Sequence, residues 1–569
     1  MARRAREARA GQGRPVLADP FYYLNNFRAM LTSLESRYWN LLTVEERQFI
    51  RQFAALPSPP CALLVRMIMR RGSFFRLSRL KYPEIGDAGA AVAALLEIKW
   101  LQEPVLDVSD LHRLLTKAEL SVHLALPRDL QRLNKPELLD ALREQHRAPQ
   151  PLHGWCARLN DRVFQPMVKP LAERFRVLFF GSLHQDWTEF VLSDLGINTY
   201  ETVPVHSAPF RTRVHIDAFY QMYCCHRALE EGESLEDVIA RVPSPLDDND
   251  WLEEHRQRLL FQLARACERL GDAPSALTLF ATCRHRGSRI RMARLLERRH
   301  EWQAARDVCL LATASPESEA ERQQVRRVLP RLSRKLRITD ENLAGLPQLA
   351  SFDVRLEAPP DERALELQVR DHLARREEAH CTVHYVENGL INSLFGLLCW
   401  DAIFAPIPGA FFHYFQYGPA DLESPYFYER RRHRFAECFE ELESGRYKNI
   451  IRRRLHAKAG IQAPFVTWRL LTPQLLECAL QCFPAAHLRL WFEWIVRDVV
   501  ENRAGFPDLV QFWPSERRYR MVEIKGPGDR LQDNQRRFLE FCSRHDIPAS
   551  VCRVVWEGSR KGGGRSMEP

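Results

Sequence analysis

Phe506-Pro507-Asp508-Leu509 is followed, one hairpin later, by Val522-Glu523-Ile524-Lys525. Asp508 to Trp513 reads as a short strand, Pro514 to Arg517 carries turn chemistry, and Tyr519 to Lys525 reads as a second strand. Side chains on a strand alternate faces, so Glu523 and Lys525 share one face while Ile524 points into the opposite layer. Asp508 reaches the Glu523 side across the hairpin. Two carboxylates and one ammonium then occupy the same small volume. Carboxylate oxygens are hard ligands for Mg²⁺ or Mn²⁺, and the backbone carbonyl of Ile524 offers a further one. A metal held there polarises a phosphodiester and acidifies water, while Lys525 orients that water or offsets developing charge. The expected catalytic residues are therefore Asp508, Glu523 and Lys525, with Asp508, Glu523 and Ile524 as metal ligands. A solvated hairpin carrying an Asp–Lys pair is the plainer alternative.

Working outward, Gly526-Pro527-Gly528 forces a turn, and Asp529 is expected to cap the next helix. Leu531, Gln535, Phe538 and Cys542 recur at helical spacing on that helix. Gln535 is the polar member of the stripe; it either faces the site, as a candidate DNA contact, or is a buried amide with a satisfied structural hydrogen bond. Val551 to Trp556 reads as a further strand, and Leu488 to Asn502 as a helix before the hairpin. Helix, strand, strand, helix, strand is a small α/β core.

The rest of the chain reads mainly as helix. At 569 residues it is too long for one core. The formal charge of +9 is mild, so the placement of basic residues says more than their sum. Met1 to Pro15 contains five arginines and one acid but no apolar stretch, which excludes a secretory signal. The apolar segment Gly396 to Phe415 is interrupted by Asp401, Pro406 and Pro408, which argues against a membrane span. The fourteen cysteines show no CxxC pair; Cys224-Cys225-His226 and Cys478/Cys482 lack a second half at zinc-finger spacing and are read as reduced thiols.

Between Val65 and Tyr82 six Arg or Lys residues interleave with apolar ones and no acid, which suits either a phosphate-contacting face that includes Arg76, Arg79 and Lys81 or an amphipathic helix and turn with a solvated charged side. Asp107 to Gln145 reads as helix, gap, helix. Asn134 and Glu137 are placed for a capping box, and Lys135 stands at the second helix's start, a position that suits phosphate. From Trp251 to Leu336, Leu263-Ala264-Arg265 … Ala276 matches Met292-Ala293-Arg294 … Ala305 at a constant offset of 29, an imperfect tetratricopeptide-like repeat. A linker is expected from Pro347 to Pro360. Tyr447 to Lys458 is a dense cationic helix whose Lys448 and Arg452 are candidate phosphate contacts.

Together these residues resemble a known family. Val496-Arg497, Phe506-Pro507-Asp508-Leu509-Val510 and Val522-Glu523-Ile524-Lys525-Gly526-Pro527 with Gln535 are similar to a VRR-NUC domain of the PD-(D/E)XK nuclease superfamily. Tyr385-Val386-Glu387-Asn388-Gly389 with Phe395-Gly396, the Phe21-Tyr22-Tyr23-Leu24 and Phe75 to Tyr82 runs, and the SAP-like helices extend the likeness to the Fanconi-anaemia-associated nuclease family over nearly the whole chain. The resemblance implies a structure-selective DNA nuclease that cuts 5′ flaps and branched duplexes, degrades 5′ to 3′ and serves interstrand cross-link repair. It implies Glu387 as an extra metal ligand and Arg503 as an arginine near the 5′-phosphate. A family lysine nine residues after Lys525 is replaced by Asn534, which weakens the expected 5′-phosphate pocket. It implies a bacterial-type, cytoplasmic, nucleoid-associated member with DNA as partner and no membrane.

The expected fold is a multidomain, mainly α chain with a C-terminal α/β PD-(D/E)XK core. The expected segments are a basic tail at 1–15, a helical DNA-binding domain at 16–105, a SAP-like region at 106–230, the repeat at 231–365, the nuclease domain at 371–557 and a polar tail at 558–569. A non-catalytic branched-DNA-binding scaffold is the alternative function. A sequence-specific restriction-type enzyme is a third, for which no dedicated major-groove reader is visible.

Overall fold

The computed structural model describes residues 19–145, 148–183, 185–194, 197–205, 209–338, 349–357, 364–376 and 381–557. The expected basic and polar tails lie outside the described residues. The chain divides into two compact units, one of residues 1–198 with 210–223, the other of 199–209 with 224–569.

The first unit is helical. Tyr22–Tyr38 buries Tyr23, Phe27, Met30 and Leu34 at helical spacing. Val44–Ala55 starts with a full capping box, Thr43 accepting from the Glu46 amide and Glu46 accepting from the Thr43 amide. Glu46 is fully buried and tied to Arg174 at 2.9 Å and Arg213 at 2.6 Å, so its charge is matched where water is excluded. The SAP-like helices have their own core around Leu111, Leu120, Leu138 and Leu142. The box at Asn134 is present: Asn134 donates its amide to Glu137 at 2.9 Å and accepts the Glu137 amide at 3.0 Å.

The second unit contains the consecutive helices Asp250–Leu270, Ala273–Thr282, Ser288–Arg298, Trp302–Ala314 and Glu319–Leu336. The alanines at the 29-residue offset, Ala264 with Ala293 and Ala276 with Ala305, are all fully buried. Small side chains at equivalent places let successive helices approach closely, which is the physical content of the repeat.

The nuclease sheet begins earlier than the sequence suggested. Ser351–Leu356, inside the expected linker and the expected repeat segment, is a strand, β1. It is followed by α1 (Leu365–Arg376), β2 (Thr382–Tyr385), α2 (Leu390–Leu398), α3 (Ala485–Arg497), β3 (Leu509–Trp513), β4 (Arg518–Lys525), α4 (Asp533–Arg544) and β5 (Ala549–Trp556). The five strands lie in the order β1-β5-β4-β3-β2. β1 and β5 pair in parallel, as do β5 and β4, while β4/β3 and β3/β2 are antiparallel. The β1 signal was missed because its partner lies about two hundred positions away, and six residues flanked by prolines carry little pattern of their own.

Each face of the sheet has its own core. Val510, Phe512, Tyr519 and Met521 join α2, α3 and α4 on one face. Leu509, Val522, Ile524, Cys552 and Val554 join Val369 and Leu373 of α1 on the other. The expected helix from 488 to 502 is interrupted at Asp498, whose side chain caps the short following turn Val499–Asn502. No described helix is long and apolar enough to cross a membrane.

Candidate active site

The register of β3 and β4 builds the site. Leu509 pairs with Val522, so the next residues outward, Asp508 and Glu523, face each other on the α2/α3/α4 side of the sheet. Asp508 Oδ2 accepts the Ile524 amide at 2.8 Å, which ties the end of one strand to the next. The Asp508 carbonyl accepts the amides of Val386 at 2.8 Å and Glu387 at 3.3 Å, continuing the β2–β3 ladder past Tyr385. Three adjacent strands thereby place Glu387, Asp508 and Glu523 in one neighbourhood. Lys525 Nζ donates to Glu523 Oε1 at 2.7 Å.

The site is dry at its base and acidic. Glu523 is fully buried and Asp508 nearly so. Burial pushes Asp508 from 3.8 to about 6; the Ile524 amide and Lys525 oppose this, and Glu387 and Glu366 reinforce it. Burial, then the Asp508 charge, pushes Glu523 from 4.5 to about 7 against the pull of Lys525. Glu523 Oε2 is buried and has no partner among the described residues. An unpartnered carboxylate oxygen beside a second buried carboxylate is a donor set that a divalent cation satisfies. The cage is not closed in advance. Among the described residues no three metal-binding side chains converge ready for an ion, and Glu387 lies at the exposed rim, accepting from the Tyr385 hydroxyl.

Residues that sequence reading passed over hold this geometry. Asn388 has φ of +49° and accepts the amides of Gly505 at 2.8 Å and Phe506 at 3.0 Å through its side chain. Asn392 donates to the carbonyls of Asn388 at 2.6 Å and Arg503 at 2.7 Å. Gly505, at φ +97°, leaves no room for a side chain: a Cβ there would lie 2.6 Å from the Asn534 carbonyl carbon. Glu366, in the first turn of α1, adds a fourth acid whose charge reaches Asp508. Its neighbour Leu365 packs against Gly526, just after Lys525. Asn388 stood in the quoted Tyr-Val-Glu-Asn-Gly run and could have been found there; Glu366 had no signal.

Several expectations need correction. Asp529 does not cap α4; it accepts the Gly526 amide at 3.0 Å within the Gly-Pro-Gly turn, and Gln532 is the cap. Gln535 does not turn into the site; it closes that cap by accepting the Gln532 amide at 2.9 Å. Arg76 is 6% exposed and is bonded to Asp161 at 2.7 Å and Glu119 at 2.6 Å, so it serves the interior rather than a duplex. Arg452 is gripped by both oxygens of Glu477 at 2.7 Å. Arg503 is half-exposed and reaches Glu423 at 3.5 Å. Arg79 and Lys81 are exposed, Lys135 stands at the start of its capped helix, and Lys448 is half-buried beside the Tyr447 ring.

Two buried acids and a lysine at the end of a β-hairpin, backed by helices on both faces of a mixed sheet, define a PD-(D/E)XK-type metal-dependent nuclease core. Comparison with known proteins narrows this. Residues 442–556 match the VRR-NUC domain, 21–102 the FAN1 HTH domain and 105–155 the Fanconi anemia-associated nuclease SAP domain. The Fanconi-associated nuclease 1 homolog of Pseudomonas aeruginosa is 48% identical over 545 residues, covering 95% of this chain and 97% of that protein. The homolog from Arabidopsis thaliana is 23% identical over 94% of this chain and 67% of its own length. A crystal structure of paFAN1 bound to a 2-nucleotide 5′-flap DNA with a gap superposes with a TM-score of 0.91 at 48% identity, covering 96% of this chain and all of that one. The chain belongs to the Fanconi-associated nuclease family, and it is a DNA nuclease that uses divalent metal.

Proposed function

We propose that this nuclease hydrolyses phosphodiester bonds in branched DNA, cutting 5′ flaps as an endonuclease and working 5′ to 3′ as an exonuclease, with Mg²⁺ or Mn²⁺ as its metal and interstrand cross-link repair on the bacterial nucleoid as its setting. The observation that carries the reading is the buried pair Asp508 and Glu523, with Glu523 Oε2 unpartnered and Lys525 within hydrogen-bond distance of the other oxygen. In this reading Asp508, Glu523, the Ile524 carbonyl and Glu387 would hold the ion. The bound metal supplies charge for the phosphate and acidifies the attacking water.

The chain's own residues do the rest. The Ile524 amide fixes one oxygen of Asp508. Lys525, mostly buried, keeps its ammonium against Glu523 and is placed to hold the attacking water or the charge that develops on the phosphate. Arg79, Lys81, Lys135 and Lys448 are the remaining candidates for backbone contacts that position DNA without reading its bases. Asn534 at the place of the family lysine weakens the pocket for 5′-phosphorylated ends in this reading.

End-labelled 5′-flap, 3′-flap and plain duplex DNA, incubated with Mg²⁺, Mn²⁺ or EDTA, test this. Cleavage should track the 5′ junction across unrelated sequences and vanish in Asp508→Ala with flap binding retained. Full cutting by Asp508→Ala overturns the site. A wild-type chain that binds flaps but never cuts them is a scaffold.

A further inference from the structure

Beyond Lys525 the catalytic face of the sheet continues into a second feature. Lys525 pairs with Arg553 of β5, and Arg553 pairs with Asp353 of β1. Residues in register on parallel strands share a face, and Val551 is likewise in register with Glu523. The row Lys525, Arg553, Asp353 therefore runs from the catalytic lysine to the edge of the sheet, across two strand spacings or about 10 Å. Above this row lies an open cleft of about 1070 Å³. Arg530 enters it from the turn after β4, Arg536 from α4, and Arg327 from the last repeat helix.

Its charge is lopsided. Five basic side chains line it, Arg327, Lys525, Arg530, Arg536 and Arg553, against two acids, Asp353 and Asp529. Arg327 is paired with Asp533, and Asp529 is held by the Gly526 amide. Arg530, Arg536 and Arg553 have no carboxylate partner among the described residues. Many arginines elsewhere in this unit are paired, among them Arg286, Arg289, Arg431 and Arg537. Three unneutralised guanidinium groups converging on one cleft call for an anionic ligand with more than one charge. Gly526-Pro527-Gly528 also lines the cleft, and a Cβ at Gly528 would meet nothing within 4 Å. An open, polar cleft that includes the catalytic lysine in its lining does not fit a compact metabolite, whose sites are mostly apolar and enclosing.

We propose that this cleft is the track for one sugar–phosphate strand, in which Arg530, Arg536 and Arg553 each hold an internal phosphate of the cleaved strand to one side of the scissile bond. The proposal rests on the nuclease reading of Asp508, Glu523 and Lys525. It is separate from recognition of a terminal 5′-phosphate, because two of its three cations, Arg530 and Arg553, lie in the turn after β4 and on β5 rather than at Arg503 or Asn534, and Arg536 alone shares α4 with Asn534.

Binding of fluorescein-labelled 5′-flap DNA is measured in EDTA over a range of KCl for the wild type and for the Arg530→Gln/Arg536→Gln/Arg553→Gln chain. Arg530 and Arg553 are exposed, so the Arg530→Gln/Arg553→Gln pair stands in if the triple variant unfolds. Each single-strand phosphate contact contributes about 0.7 to the slope of log K against log salt, so the triple variant loses about 2 and the pair about 1.4. Shortening the cleaved strand stepwise, on one side of the cut and then the other, should cost the wild type the same slope on one side and cost the variant nothing there. Unchanged slopes in the variant, or truncation losses equal in both chains, overturn the proposal. An effect confined to 5′-phosphorylated ends, absent with 5′-hydroxyl ends, overturns it in favour of a terminal-phosphate pocket. Incubation of the same chains with Mg²⁺ and Mn²⁺ is read separately. A slope difference without any cleavage refutes the nuclease reading, and the track for a cleaved strand falls with it; cleavage with unchanged slopes overturns the strand track alone.

Discussion

Arg66 to Lys81 and Lys525 to Arg553 are both rich in basic residues, yet the fold treats them in opposite ways. In the first, Arg66 lies 3.9 Å from the Tyr23 ring and pairs with Glu84 at 2.7 Å, and Arg76 is clamped between Asp161 and Glu119. In the second, Arg530, Arg536 and Arg553 line a cleft with no acid bonded to them among the described residues. Composition identifies where cations are; it does not say whether acids from elsewhere in the chain have already neutralised them. The carboxylates differ in the same way. Those beside Arg76 are stabilised as anions, whereas those beside Lys525 are crowded together and resist ionising.

The largest effect that sharpens this contrast is catalytic. Lys525→Ala or Asp508→Ala should lower flap cleavage about 10³-fold or more while leaving flap affinity in EDTA nearly unchanged. Single-turnover cleavage and an equilibrium binding titration read the two quantities. Arg76→Ala should do the reverse: it strands buried Asp161 and lowers stability by about 3–5 kcal/mol, seen in urea unfolding, with no loss of salt slope in whatever remains folded.

The two carboxylate groups should also give stability opposite dependences on pH. Burial raises Glu119, but the Thr116 amide and Arg76 outweigh it and hold the group near 2; burial likewise raises Asp161, which Ser78 and Arg76 bring below its ordinary value. Folded values below the unfolded ones mean stabilisation that is present above about pH 4.5 and lost as pH falls towards 2. Asp508 and Glu523 lie above their unfolded values, at about 6 and about 7, so the folded metal-free protein binds more protons and loses stability as pH rises from about 4 through 7. Glu523→Gln should therefore stabilise the metal-free chain at pH 8 by about 1–3 kcal/mol and abolish its gain on adding Mn²⁺. A destabilised Glu523→Gln protein would break the contrast. For the same reason metal binding should release protons near pH 6.5 and almost none at pH 8.5, as calorimetry in buffers of different ionisation enthalpy would register.

Smaller effects test the scaffold. Gly505→Ala meets the Asn534 backbone at a positive φ and should cost about 1–3 kcal/mol, with a larger loss of cleavage than of flap binding, because Gly505 and Phe506 lead into Asp508. Arg452→Ala removes an exposed pair with Glu477 and should change stability by less than about 1 kcal/mol in thermal unfolding.

The hairpin, the shared face of Glu523 and Lys525, the order of elements around it and the box at Asn134 were all legible in the residues themselves. They depend on alternation, turn chemistry and capping, which act within a few positions. The alanine-spaced repeat was legible for the same reason. What the sequence did not disclose depends on partners that are distant along the chain. Arg76 meets acids 43 and 85 positions away. β1 exists because β5 offers it a parallel ladder, and the charge of Glu366 reaches Asp508 because α1 packs beside β2. Local preference determined which residues could do the chemistry. Packing alone decided which charges were neutralised and which were left open, because an ion pair or a strand pairing depends on distance in space and carries no mark in either partner's own stretch of sequence.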